Sequence, residues 1–298
     1  MPVACLPRFR PTCWLLAIAL SSPALAAVSV LDASGQAVTL AHPASRIVSL
    51  SPHATELLFA IGAGSKVVAT VDYSNTPAAA RRLPRVGSYT GISLEAVLRQ
   101  RPDLVVAWQD GGSPRERERL KAMGVAVFVS HPLRLDDVAR EMLLLGQLTG
   151  TTAPARQAAQ AYRQQLATLS ARYARRPPVS VFYQVSALPL FTISQSSFLG
   201  AVINLCGGRN VFGQLTQPAP QVSTEAVIAA RPQVMLAARQ ADLAMWNRWR
   251  SIPAVAHGTR YAVDDSTLTI PGPRLMQAAA ALCTTLDTAR RQLGLTSN

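Results

Sequence analysis

The side chains best suited to chemistry in this chain are rings that fall just past apolar runs. His53 follows the run RIVSLS, Tyr73 follows KVVATV, Trp108 ends LVVAW, and Tyr89 sits in the glycine-rich turn VGSYTG. In the C-terminal half, VSVFYQV delivers Gln184, PLFTIS carries Phe191, and Arg274 opens the last helical pattern after IPGP. If these runs are parallel strands, the residues stand at strand carboxyl ends, where open α/β sheets bind ligands. Rings lie well against flat molecules, and a few polar groups fix the edges. Capture of a large flat ligand is therefore expected, with no catalytic residues and no protein-bound cofactor. Each residue also has an ordinary reading. Trp108 and Phe191 can fill a core, Tyr73 and Tyr89 can be surface rings, and Arg274 can solvate a helix start, although a cation there opposes the helix dipole. For His53 a helix-start hydrogen bond or a packed ring stands beside ligand contact and axial ligation of a metal macrocycle.

A repeat says how these residues are positioned. SLEAVLRQRPDLVVAW at 93–108 returns 130 positions later as STEAVIAARPQVMLAA at 223–238, identical at seven of sixteen positions. In both copies a Ser precedes a Glu by two residues, an apolar helix follows, and Arg-Pro ends it before a strand rich in Val, Leu and Met. Two lobes of one build are implied. The competing explanation is that Ser-x-Glu and Arg-Pro are common start and stop devices.

Strand and helix patterns alternate through both halves. In the first, RIVSLS, HATELLFAIGA, KVVATV, the Glu95 helix, LVVAW, PRERERLKAMG, VAVFVS and LDDVAREMLLLGQLTG follow one another. The second half runs VSVFYQV, SFLGAVINLCGG, the Glu225 helix, VMLAA, DLAMWNRW, YAVDD and PRLMQAAAALCTTLDTARRQLG. The fold class predicted is α/β: two lobes, each with a mainly parallel central sheet flanked by helices. Between them, Ala158, Tyr162, Leu166, Leu169 and Tyr173 recur at helical spacing in a stretch from Pro154 to Arg176 without a breaker. A single helix about 33 Å long should join the lobes and hold their separation nearly fixed. The divisions expected are 1–26, 27–152 for the N-terminal lobe, 153–176 for the linking helix and 177–298 for the C-terminal lobe.

Arg8 and Arg10, the apolar run from Cys13 to Leu20 and Ala24-Leu25-Ala26 form the pattern of a cleavable secretory signal peptide. An exported protein is expected. After cleavage Cys206 and Cys283 remain in an oxidising compartment, where one disulfide is the simplest outcome. Two buried thiols or a metal pair are the alternatives. The 298 residues carry a formal charge of +13. Arg8 and Arg10 leave with the signal segment, which holds no acid, so 13 minus 2 gives +11 for the mature chain. The cations are scattered and almost all Arg, with no aromatic interleaving, which sets nucleic-acid binding aside.

The stretches DASGQAVTL, ASRIVSLSPHATELLFAIGAGSKVVAT, ISLEAVLRQRPDLVVAW, LCGGRNVF and PQVSTEAV together resemble the periplasmic vitamin B12-binding protein family over nearly all of the mature chain. That resemblance implies a periplasmic, monomeric substrate-binding protein of an ABC importer, in the class whose lobes are joined by one long helix and which also holds haem and ferric-siderophore binders. It places Tyr73, Tyr89, Trp108 and Phe191 at aromatic cobalamin contacts and Arg274 at a polar one. Glu95 and Glu225 fall on the acidic pair that docks to arginines of the permease dimer, and Cys206 and Cys283 on a disulfide. The repeat fits such docking, since two equivalent lobes would each present one Glu to a two-fold symmetric partner. Either Glu is also explained as a first-turn carboxylate favoured by the helix dipole.

Departures from the family pattern bear on the ligand. Ala219 stands where a Trp precedes PQVS in the family member compared, and Tyr89 replaces a Trp. The loop DDSTLTIPGPR differs too, leaving Asp265 as a minor candidate. A wider aperture or a different cargo, such as cobinamide, haem or a siderophore, is the alternative. A secreted hydrolase is disfavoured because no Gly-x-Ser-x-Gly elbow occurs. A zinc or manganese receptor would need several convergent His and carboxylates, and His42, His53, His131 and His257 show no such spacing.

Overall fold

The computed structural model describes residue 1 and residues 27–88, 91–264 and 266–295. The expected signal segment beyond its first residue, Tyr89 and Asp265 lie outside the described residues. The N-terminal lobe opens with an antiparallel hairpin of β1 (Val28–Leu31) and β2 (Ala37–Leu40). It continues through β3 (Ile47–Ser49), α1 (Pro52–Ala60), β4 (Val67–Ala69) and the two-residue ribbon β5 (Gly87–Ser88) and β6 (Gly91–Ile92). Then come α2 (Leu94–Arg99), β7 (Leu104–Trp108), α3 (Pro114–Ala122), β8 (Ala126–Ser130) and α4 (Asp137–Thr149). Helix α5 (Thr152–Tyr173) crosses to the second lobe. There follow β9 (Val179–Gln184), the ribbon β10 (Ser186–Ala187) and β11 (Leu190–Phe191), α6 (Phe198–Leu205), β12 (Gly208–Asn210), α7 (Thr224–Ala230) and β13 (Val234–Ala237). A 3-10 segment (Gln240–Trp246), α8 (Pro253–Ala256), β14 (Arg260–Ala262) and α9 (Leu275–Gln292) complete it.

The repeat in sequence is a repeat in space. The two four-stranded sheets have the orders β4-β3-β7-β8 and β12-β9-β13-β14, every neighbour parallel. In each, the lobe's first sheet strand lies between the second and the third, so the connections diverge to either side of it. That divergence opens a crevice at the strand carboxyl ends. The copies agree in detail: Ser93 and Ser223 cap α2 and α7 by accepting from Ala96 and Ala226 backbone N–H groups at 3.2 and 3.1 Å. Arg101 and Arg231, each before a proline, both take the left-handed conformation, with φ of 47° and 45°. A following proline disfavours the right-handed helical region, which is why both helices stop there.

Alternation along the central strands divides the core into layers. On β7, Leu104 and Val106 face one apolar cluster while Val105 and Ala107 face another, and β13 splits its residues in the same way. The cluster on one face of both sheets is continuous, running from α1 and α4 through α5 to α6 and α9. The lobes therefore share a core. Helix α5 buries Tyr162, Leu169 and Tyr173 at the spacing read from sequence. It ends at Tyr173, three residues before Arg176, because Pro177 and Pro178 pull the chain towards extended backbone. Its first turn lies against α4 at Gly146, where an added Cβ would come within 2.3 Å of the Ala155 Cβ. Cys206 and Cys283 form the disulfide, with Cα atoms 4.7 Å apart, joining the end of α6 to α9. Arg290, 2% exposed, donates to the Cys206 and Pro177 carbonyls beside it.

Candidate functional site

Between the carboxyl ends of the first sheet and the loops of the second lobe lies a cavity of about 440 Å³. Its N-terminal wall holds Trp108, Asp110, His131 and Leu133. Facing them are Val185, Ile193, Phe198, Ala219 and Pro271, with the hydroxyl residues Ser196, Ser197 and Thr269. Among the described residues no Lys or Arg lines it. The volume falls in the range of about 300 to 1,000 Å³ typical of small-molecule sites, and the mix of apolar wall and few polar groups is usual for them. A groove of about 730 Å³ between α5 and α9 and a cavity of about 400 Å³ beside Asp264 share no lining residue with the Trp108 cavity.

Trp108 is held at the cavity from three sides. It closes β7 opposite Ser130 of β8. The turn after it folds against the indole at Gly111, where a Cβ would meet Trp108 Cε3 at 2.7 Å. Arg117, largely buried, donates to the carbonyls of Trp108 and Gly111 and so fixes that turn. His53 supports the ring from behind, edge-on at 5.5 Å between centroids and 77° between planes.

Behind the wall runs a buried hydrogen-bonded chain. His53 Nε2 is 2.8 Å from Ser130 Oγ, and Ser130 Oγ donates to Glu141 Oε2 at 2.5 Å. The other carboxylate oxygen accepts from the His131 backbone N–H at 2.9 Å. Ser130 has one proton to give, so it accepts from a neutral imidazole protonated at Nε2. Burial holds His53 neutral, its pKa lowered to about 3, and pushes Glu141 up to about 7 against the hydrogen bonds it accepts. The chain anchors β8 and the start of His131 beneath the cavity.

The residues picked from sequence are not all brought together. Trp108 lines the cavity. His53 is 3% exposed and sits as a packed ring behind that wall, under Trp108 and hydrogen-bonded to Ser130. Tyr73 is 73% exposed in a turn with φ of 64°, held by Arg85 donating to the Val71 and Ser74 carbonyls. Phe191 is half-buried on β11, bridged to Gln221, outside the cavity lining. Arg274 is turned onto Glu56 of the first lobe and lines the neighbouring grooves rather than this cavity. Gln184 is internal, linking Trp246 Nε1 to the Asp242 carbonyl. Glu95 and Glu225 are both exposed in the first turns of α2 and α7, the former paired with Arg99 at 2.6 Å. Asp110 and His131 were missed, although they stand two and one residues past β7 and β8; the strand-end rule reaches them once it is applied to every residue type.

A family model described as periplasmic binding protein matches residues 47–267. The chain belongs to the periplasmic binding protein family. Among its relatives in that family, a vitamin B12-binding protein of Vibrio parahaemolyticus is 35% identical over 253 residues, covering 84% of this chain and 92% of the relative. A vitamin B12-binding protein of Yersinia pestis is 38% identical over 248 residues, or 82% and 86% of the two chains. The crystal structure of the periplasmic vitamin B12 binding protein BtuF of Vibrio cholerae superposes with a TM-score of 0.78 at 36% identity, covering 84% of this chain and 99% of that one. The periplasmic heme-binding protein RhuT of Roseiflexus gives 0.72 at 25% identity, over 82% and 98%. Among the described residues no helix is long and apolar enough to cross a membrane.

Proposed function

We propose that this periplasmic binding protein captures a corrinoid, cobalamin foremost, between its lobes and delivers it as a monomer to an ABC permease dimer, making and breaking no bond itself. The observation that carries the reading is the cavity wall: a firmly braced Trp108 beside apolar side chains, with neither Lys nor Arg among its described lining residues. A flat ring system suits that wall. Haem carries two carboxylates and ferric siderophores are commonly anionic, and neither charge would meet a Lys or Arg there. The vitamin B12-binding relatives, which this chain matches over most of their length, support the same cargo. Glu95 and Glu225, presented at equivalent positions of the two lobes, suit docking to a two-fold symmetric permease. Export follows from the N-terminal signal pattern.

Titration calorimetry of the purified mature protein with cyanocobalamin, cobinamide and haemin tests the reading. Saturable binding of a corrinoid with no haemin response is expected. Haemin binding with a Soret band, and none of either corrinoid, would replace corrinoid with haem as the cargo.

A further inference from the structure

The cavity has one fixed charge among its described lining residues, and it is negative. Asp110 follows Trp108 by two residues and lines the same wall. Its Oδ2 is 3.2 Å from His131 Nε2, and both side chains are open to solvent, 58% and 26% exposed. Backbone on both sides is pinned: the turn at Trp108 and Gly111 by Arg117, and His131 by Glu141. On the opposite wall the polar side chains are hydroxyls, Ser196, Ser197 and Thr269. A chain with 29 Lys and Arg against 16 Asp and Glu has thus placed an acid, paired with His131, and neither Lys nor Arg among the described residues of its cavity. A primary amide asks for such a pair of walls. Its N–H groups donate to a carboxylate, and its carbonyl accepts from a hydroxyl or a backbone N–H.

We infer that Asp110, oriented by His131, is a specificity-determining residue that accepts hydrogen bonds from a carboxamide on the ligand's rim and repels a carboxylate at the same place. The inference rests on the corrinoid reading above and sharpens it, because the corrin ring is fringed with amides whereas haem presents acids. Discrimination comes from an unfavourable contact built against the wrong cargo as much as from a favourable one with the right cargo.

The test uses two ligands of one shape: cyanocobalamin, and its isomeric monocarboxylates in which a single peripheral amide has been hydrolysed to the acid. At low ionic strength the wild-type protein should bind at least one isomer about tenfold more weakly than cyanocobalamin. Asp110→Asn should bring that ratio close to one, and added salt should narrow it in the wild type only. Asp110→Ser serves as a second variant, checked like the first by its unfolding curve. His131→Ala, which keeps the carboxylate but frees it, should reduce the ratio in part. If cyanocobalamin binds and the amide-to-acid ratio is the same in wild type and Asp110→Asn for every isomer, Asp110 is no determinant and the corrinoid reading still stands. If the wild type binds neither cyanocobalamin nor cobinamide, the corrinoid reading falls and takes this inference with it.

Discussion

Glu56 and Arg274, 218 residues apart, join the two lobes through a two-pronged ion pair. Arg274 Nη2 donates to Glu56 Oε1 at 2.7 Å and Nε to Oε2 at 3.0 Å, so α1 of the first lobe grips the start of α9 in the second. The Glu56 side chain is 5% exposed and that of Arg274 42%, so the two ends of the pair differ in solvation. A charge-assisted fork of this kind has a defined geometry, and it sets the lobes in register beside the linking helix, whose groove against α9 Arg274 also lines. Arg274→Met leaves a buried carboxylate without its partner and should cost about 1 to 3 kcal/mol in urea unfolding. Adding Glu56→Leu should recover most of that loss. The double variant also isolates ligand binding: affinity near wild type means that Arg274 serves the lobe contact alone.

Trp108→Ala should weaken corrinoid binding by about 1 kcal/mol or more, a fivefold or greater rise in Kd by calorimetry, since a ring contact is removed from the wall. His53→Ala should do part of the same damage at a distance, because the indole loses the ring that backs it at 5.5 Å. An unchanged Kd for Trp108→Ala would make that ring a structural element of the lobe.

Most of the fold was legible because it rests on local signals. Both central strands are continuous apolar runs between turn residues, and the caps Ser93 and Ser223 with the stops Arg101-Pro102 and Arg231-Pro232 mark the same helix twice. The disulfide was legible from cysteine count and compartment. What escaped depends on partners distant in sequence. Nothing near Arg274 announces Glu56, and nothing near His53 announces Ser130 and Glu141; only the folded sheet places these groups together. The hairpin of β1 and β2 is fixed from afar as well, through Asp32 accepting from the Val129 backbone. The site was read with a bias towards rings, and so Asp110 and His131 were passed over at positions the same strand-end argument covers.

Replacing both Glu95 and Glu225 by Ala should abolish uptake in cells while leaving ligand affinity unchanged. Each carboxylate is exposed at the start of its helix, so its loss removes at most about 1 kcal/mol of favourable interaction with the helix dipole. Transport at the wild-type rate with the double variant expressed normally would refute a docking role.

The buried pair beneath the cavity makes a pH prediction whose parts oppose each other. His53 titrates near 6.5 in an unfolded chain but only at about 3 in the folded protein. The unfolded state therefore takes up the extra proton, and stability is lost as pH falls from 6.5 towards 3. Glu141 behaves in the opposite sense: the folded protein keeps its proton to about 7, while the unfolded chain releases it near 4.5. Its contribution is greatest below 4.5 and declines as pH rises to 7. Between about 4.5 and 6.5 the two slopes cancel, each approaching about 1.4 kcal/mol per pH unit at its limit. Glu141→Gln exposes the histidine slope, so that variant should gain stability steadily as pH is raised to about 6.5. His53→Gln exposes the carboxyl slope and should lose stability across the same interval. Urea midpoints measured over this range for the wild type and both variants decide the matter: parallel profiles for all three would mean that neither group changes its protonation on folding.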